Sequence, residues 1–187
     1  MRVREATRAD HADIRAVVDE AFGPDEGIAD LVDDLRASGL VEVELVADDA
    51  DEVVGHVSLE RAWIDDEQAV VDVLTLSPLS VAPTRQGTGI GTRLIGAALT
   101  VARDRAEPYV FLEGAPDYYG ARGFGPALER GFARPSDRIP GPAFQVAVLD
   151  DLGVTGRLVY PDAFWRHGAV GLRGALLAQV RAALGEV

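Results

Sequence analysis

Residues 85–92 read Arg85-Gln86-Gly87-Thr88-Gly89-Ile90-Gly91-Thr92, three glycines on alternate positions between a strand-like run and an amphipathic helix. The run before them covers residues 69–81, and the stripe Ile90, Leu94, Ile95, Ala98 and Val101 carries the helix to about Arg105. That order turns a strand into a helix through a loop whose N–H groups lack helical acceptors and sit at the positive end of the helix dipole. Glycine lets the oxygens of an anion approach the backbone and accepts the positive φ that such turns demand. A pyrophosphate fits this description, and so does a tight turn that only packs helix on strand. A Walker loop is excluded because the chain has no lysine. A dinucleotide fingerprint starting at Gly87 or Gly89 would need glycine where Thr92 or Leu94 stands.

Around this loop the hydrophobic period changes along the chain. Val3 and its neighbours suit a short strand, after which Thr7 and Asp10 start a helix through Ile14, Val17, Val18 and Phe22, ended by Gly23-Pro24. Residues 26–37 repeat the helical pattern with Ile28, Leu31, Val32 and Leu35, closed by Ser38-Gly39. Val41, Val43 and Leu45 then alternate with Glu42 and Glu44, residues 48–52 make a polar turn, and residues 53–63 return as the second arm of an antiparallel hairpin. Pro78, with no N–H to donate, predicts a break or bulge in the long run 69–81. Further on, residues 108–113, 144–149 and 157–160 read as strands and 116–122 as a short helix. Leu172, Leu176, Leu177, Val180 and Leu184 mark a terminal amphipathic helix, expected in core packing or at a homodimer contact. The pattern is that of a mixed, α+β domain.

Composition narrows the function. A formal net charge of -13 repels a phosphate backbone, so nucleic acid is not an expected partner. All 18 basic residues are arginine, which leaves Arg, hydroxyls and main-chain N–H groups to hold any anion. With no cysteine, thiolate metal sites and thiol nucleophiles are absent. His11 and His167 have no partners at metal-ligand spacing, so no metal is expected. No apolar run approaches the ~18 residues of a membrane span, and Met1-Arg2-Val3-Arg4-Glu5 does not resemble a signal peptide. The expected setting is the cytoplasm, away from membranes.

Leu79-Ser80-Val81-Ala82-Pro83 followed by Gln86-Gly87-Thr88-Gly89-Ile90-Gly91 resembles the acyl-CoA signature of the GNAT superfamily of N-acetyltransferases, Q/R-x-x-G-x-G/A with its following helix. Tyr119-Gly120-Ala121-Arg122-Gly123-Phe124 resembles the Y-x-x-x-G-F element that follows the next strand in that superfamily. The resemblance spans residues 76–124. It implies a mostly antiparallel twisted sheet with a splayed central strand, flanked by helices, in a domain over residues 1–168 followed by the C-terminal helix over 169–187. It also implies acetyl-CoA as cosubstrate, its pantetheine arm along Leu79, Ser80 and Val81. The pyrophosphate would lie on the main chain of Gln86, Gly87, Thr88, Gly89, Ile90 and Gly91, with Thr92 beside it. Arg85, Arg93 and Arg122 are candidates for the outer phosphates.

The activity so implied is direct transfer of acetyl to a primary amine, small-molecule or peptide, in a ternary complex. The same fold could also serve as an acyl-CoA-binding sensor without turnover. Transfer sets two proton problems: an alkylamine with a pKa of about 10.4 must become neutral, and the departing thiolate is better protonated. By resemblance Tyr119 is the general acid, and Tyr118 is pocket wall. For the base the sequence offers Glu113, Glu60, Asp72 and His56. Glu113 is closest to the expected thioester position, as base or as acceptor contact.

Overall fold

The computed structural model describes residues 1–172 and 174–183. Along the chain run β1 (Arg2–Glu5), α1 (His11–Phe22), α2 (Ile28–Ala37), β2 (Val41–Asp49), β3 (Glu52–Asp65), β4 (Val70–Val81) and α3 (Ile90–Asp104). They are followed by β5 (Tyr109–Glu113), α4 (Pro116–Gly120), β6 (Gly125–Pro126), β7 (Phe132–Ala133), β8 (Phe144–Val148), β9 (Gly156–Val159), α5 (Asp162–Arg166) and α6 (Gly174–Ala183). The expected α+β class is what is observed: among the described residues the parallel pairs are β4 with β5 and β7 with β9. Two compact units divide the chain, one of Met1–Arg61 and Leu76–Arg105, the other of Ala62–Thr75 and the chain from Ala106 onward.

In the first unit β2 pairs antiparallel with β1 and β3, in a register that sets Val46 opposite His56 and Glu44 opposite Ser58. Period-two alternation sends Val46 to one face, where it joins Ile14, Val18 and Ala29 in a buried cluster. The other face of β3 carries Gly55. A Cβ there would stand 3.1 Å from both Ile90 Cγ2 and Leu94 Cδ1, so glycine is what lets α3 come this close. Of the stripe read from the sequence, Ile90, Leu94, Ile95 and Ala98 are buried on one side of α3 and Val101 is half-buried. At the head of α1, Asp10 accepts from the Thr7 N–H and hydroxyl, both at 2.7 Å, and from Arg4. That closes the start expected from Thr7 and Asp10. Of the break or bulge expected at Pro78, no break occurs, since β4 continues through it. Beside the missing N–H, the Ser58 hydroxyl supplies Ser77 O with a donor at 3.0 Å.

The second unit is organised by β5, which pairs antiparallel with β8 from Tyr109↔Val148 to Glu113↔Phe144. Tyr109, Phe111, Phe132 and Phe144 form its aromatic core, Phe111 lying 4.9 Å from Phe132 and 5.7 Å from Phe144 between ring centroids. β6 lies against β8, and β9 pairs with Trp63 to Asp65 of β3. β6, β7 and α5 were not legible beforehand; pairs of two residues carry no periodicity. Of the terminal stripe, Leu172 and Val180 are buried with Ala143, and Leu177 and Ala115 pack against them. Leu184 lies outside the described residues.

Candidate active site

The glycine loop leaves β4 through a short 3-10 turn, Pro83–Arg85, and enters α3 at Gly89, whose carbonyl accepts the Arg93 N–H at 3.1 Å. Gly87 and Gly89 have φ of 75° and 87°, the left-handed region where a side chain is strained. A Cβ on either would meet nothing within 4 Å, so what demands glycine is the backbone turn, with open space in front of it. The N–H groups of Gly87, Thr88 and Gly89 have no backbone acceptor among the described residues. Ile90 and Gly91 add first-turn N–H groups that a helix cannot satisfy internally. The result is a row of donors, exposed from Gly87 to Gly89, at the positive end of a 15-residue helix, a cradle for an anion.

Several side chains are already committed. Gln86 turns its N–H to Pro83 O at 3.4 Å and its side-chain amide to Val81 O at 3.2 Å. Arg85 pairs with Asp49, so it is a partner of that carboxylate rather than a free phosphate contact. Arg122 lies over the Tyr118 ring, 3.6 Å from its centroid. Thr92 and Arg93 are exposed on the first turn of α3. Upstream, Ser80 O points toward β3, 3.1 Å from where a Gly55 Cβ would be. Alternation therefore presents the main chain of Leu79 and Val81 at the other edge of β4. Within the second unit, β4 pairs parallel with β5 at Leu74↔Val110 and Thr75↔Phe111.

Two of the candidate bases are sealed inside the first unit. His56 and Glu60 are both 0% exposed. The His56 Nε2 bonds Glu44 Oε1 at 3.0 Å, and Arg36 grips the same carboxylate at 2.7 to 3.1 Å. Burial pulls the imidazole below its usual range against the opposing pull of Glu44. Burial alone would raise the Glu44 carboxyl, but the His56 and Arg36 bonds outweigh it and hold it down at about 2. Glu60 touches the Ser58 hydroxyl, and burial pushes its carboxyl well above the ordinary range. His56 Nδ1, Glu60 Oε2 and Ser80 Oγ have no hydrogen-bond partner among the described residues. Asp72 is exposed on β4.

In the second unit, Glu113 stands at the end of β5 and the acid candidate Tyr119 on α4 just beyond it. Glu113 closes the strand, and Gly114 extends its ladder by donating to Ala143 O at 3.0 Å. A Cβ on Gly114 would fall 2.2 Å from the Tyr119 ring, so Tyr119 covers the face to which residue 114 points. Glu113, one residue earlier, points to the opposite face. The Tyr119 ring packs edge-on against Phe124 at 5.9 Å and Tyr118 at 5.0 Å, and its hydroxyl has no hydrogen-bond partner among the described residues. Burial pushes that hydroxyl above the ordinary tyrosine range, which keeps it a proton donor. The Glu113 carboxyl accepts the Gly171 N–H at 3.0 Å and the Tyr160 hydroxyl; burial nevertheless pushes it up to about 7. Nothing in the sequence ties Tyr160 or Gly171 to Glu113, and neither was singled out for this role.

The family description "Acetyltransferase (GNAT) family" matches residues 11–125. YjhQ of Escherichia coli (strain K12), described as an uncharacterized N-acetyltransferase, is 35% identical over 131 residues, 68% of this chain and 72% of that protein. The solved structure of the GNAT family N-acetyltransferase YhbS from Escherichia coli, in complex with CoA, matches with a TM-score of 0.81 at 28% identity over 88% of this chain and 92% of that one. A GNAT family acetyltransferase from Brucella melitensis, in complex with acetyl-CoA, matches with a TM-score of 0.73 at 30% identity over 87% and 97%. The matched span runs from the head of α1 through the anion cradle to the Tyr119 element, and on these grounds the chain belongs to the GNAT family of acetyltransferases and is an acyltransferase.

Proposed function

We propose that the chain moves the acetyl group of acetyl-CoA to a primary amine, small-molecule or peptide, by direct attack in a ternary complex. The observation that carries this reading is the row of unused N–H groups from Gly87 to Gly91 at the head of α3. Relatives crystallised with CoA and with acetyl-CoA support it. The donor pyrophosphate would take the main chain of Gln86 to Gly91 with Thr92 beside it, as main-chain donors at a helix head hold phosphate without lysine. The pantetheine arm would bond the edge of β4 at Leu79 and Val81, with Ser80 between them. Tyr119 protonates the departing thiolate, and Glu113 serves on the acceptor side as base or contact. No His, Asp or Glu cluster suited to a metal occurs among the described residues, and the proposal uses none.

Residues 1–168 would act as the transferase domain, with the C-terminal helix packed on it, in the cytoplasm. No helix among the described residues is long and apolar enough to cross a membrane. The deciding experiment is calorimetric titration with acetyl-CoA, CoA, ATP and NAD at one salt concentration, followed by thiol release with an amine panel. Selective binding of acetyl-CoA and CoA is expected. Equal binding of ATP, or no CoA binding, would return the loop to a structural turn.

A further inference from the structure

Ser80 stands between the two residues whose main chain is proposed to hold the pantetheine arm, and its side chain is sealed in the first unit, 1% exposed. Its hydroxyl has no hydrogen-bond partner among the described residues, and a buried donor left unpaired carries its full desolvation cost. The neighbouring strand offers the missing partner. β3 lies beside β4 in the sheet, and the Ala82 N–H donates to Val54 O at 3.0 Å. Counting back along antiparallel strands sets Ser80 opposite His56. Ser80 O, 3.1 Å from where a Gly55 Cβ would stand, fits that register. His56 is in turn opposite Val46, which packs with Ile14, Val18 and Ala29, so the Ser80 and His56 side chains share the face under α1 and α2.

The other partner of His56 decides where its ring hydrogen sits. Glu44 is ionised in spite of its burial, held by His56 and by Arg36 Nη2 at 2.7 Å, and an ionised carboxylate only accepts. The His56 Nε2, 3.0 Å from Glu44 Oε1, therefore carries the hydrogen, and burial keeps the ring neutral. Nδ1 is then an acceptor, and it too lacks a partner among the described residues. A buried donor without an acceptor thus faces a buried acceptor without a donor. Facing residues on antiparallel strands have Cβ atoms about 5 Å apart, and a turn of the serine side chain between staggered rotamers spans the rest. The third unpartnered atom, Glu60 Oε2, lies four residues along β3 from His56, on the carboxyl that meets Ser58.

We infer that the Ser80 hydroxyl donates to His56 Nδ1, and that the line from Arg36 through Glu44 and His56 to Ser80 is a positioning device that fixes Leu79 and Val81 for the acyl donor. The inference rests on the transferase reading above. Pro78, two residues before Ser80, has no N–H to give to a ladder, so side-chain holds count for more along this stretch of β4. The Ser58 hydroxyl on Ser77 O at 3.0 Å is one such hold, and Ser80 on His56 is a second. Peptide groups already fixed bind a donor arm without first being ordered, which raises its affinity. His56 moves no proton in this role and touches neither substrate.

The test uses the full chain labelled with nitrogen-15 histidine, of which it has three, with His56 assigned by elimination through His11→Gln and His167→Gln. Expected are a protonated Nε2 and the Nδ1 signal of a hydrogen-bonded acceptor, and Ser80→Ala should move Nδ1 to the position of a free acceptor. Calorimetry should give Ser80→Ala an acetyl-CoA affinity about fivefold weaker, the worth of one net hydrogen bond. The variant should also unfold at lower denaturant, because Nδ1 is left stranded; removing a hydroxyl that was itself unpaired would give the opposite sign. An Nδ1 signal unmoved by Ser80→Ala, or an acetyl-CoA affinity equal to that of the wild type, overturns the inference while wild-type binding and thiol release keep the transferase reading. A wild-type chain that binds no acetyl-CoA removes that reading and the positioning role with it, whatever the histidine signals show.

Discussion

At the head of α3 the groups suited to charge are main-chain N–H groups from consecutive residues, whereas at the end of β5 they are side chains whose holders lie far away in sequence, Gly171 being 58 residues from Glu113. The first arrangement depends on backbone angles and tolerates most side chains that point away. The second depends on each partner and fails when one is removed. On the proposed reading, donor recognition and acceptor chemistry would rest on different parts of the sequence, and they should break independently.

The largest expected effect comes from Gly89→Asp, which puts a carboxylate into the row of donors at φ 87°. Like-charge repulsion and backbone strain act together there. Calorimetry should show acetyl-CoA affinity reduced by about a hundredfold or more, equivalent to about 2.7 kcal/mol. Gly89→Ala should lose less, since open space awaits its methyl group and only the strain remains. Equal affinity in Gly89→Asp and the wild type would end the comparison, because the loop would then not be the donor's site.

Next in size is Tyr119→Phe, expected to lower kcat by about a hundredfold with the acetyl-CoA Kd retained. Since burial holds the phenol above the ordinary tyrosine range, its ionisation should set no alkaline limb near pH 10 in the wild-type rate. A lost Kd with an intact kcat would make Tyr119 part of the donor site and erase the division between the two regions. Gly171→Ala has a smaller effect of a different kind. At φ +90°, with Arg138 Cβ 2.8 Å away, it should destabilise the fold by about 1–3 kcal/mol and shift the acid limb of turnover. Thermal unfolding and the pH profile read the two separately.

These regions also differed in how far the sequence exposed them. α3, the β2–β3 hairpin and the glycine loop could be read directly because period and turn chemistry are local, and Gly55 against Ile90 adds only the depth of the packing. Tyr119 was reachable through its spacing to Gly123 and Phe124. The environment of Glu113 was not reachable, since it is assembled by Tyr160, Gly171 and Arg138. Pro78 removes one donor without breaking β4, which continues through it. His56 and Glu60 resembled candidate bases because alternation alone cannot tell a strand position under a helix from one facing a cleft.

The smallest expected effect on turnover, and the sharpest use of the comparison, is Glu60→Gln. The Ser58 hydroxyl has one proton and faces two acceptors, Ser77 O at 3.0 Å and the Glu60 carboxyl. Given to Ser77, it leaves the carboxyl to supply the second bond, as a protonated acid does. The folded chain therefore holds a proton on Glu60 that the unfolded chain releases above about pH 4.5, so stability falls as pH rises from there toward the higher folded value. His56 has the reverse sign: its lowered folded value means stability lost as pH drops through about 6.5. Glutamine at position 60 cannot ionise, so denaturant unfolding at pH 8 should show the variant no less stable than the wild type, with any gap in its favour closing toward pH 5. The pH profile of thiol release should stay that of the wild type, because a carboxyl sealed beneath the sheet has no route to an acceptor. Loss of the acid limb in Glu60→Gln with its retention in Glu113→Gln would move the base from the end of β5 to β3, and would join acceptor chemistry to the same unit that carries the donor cradle.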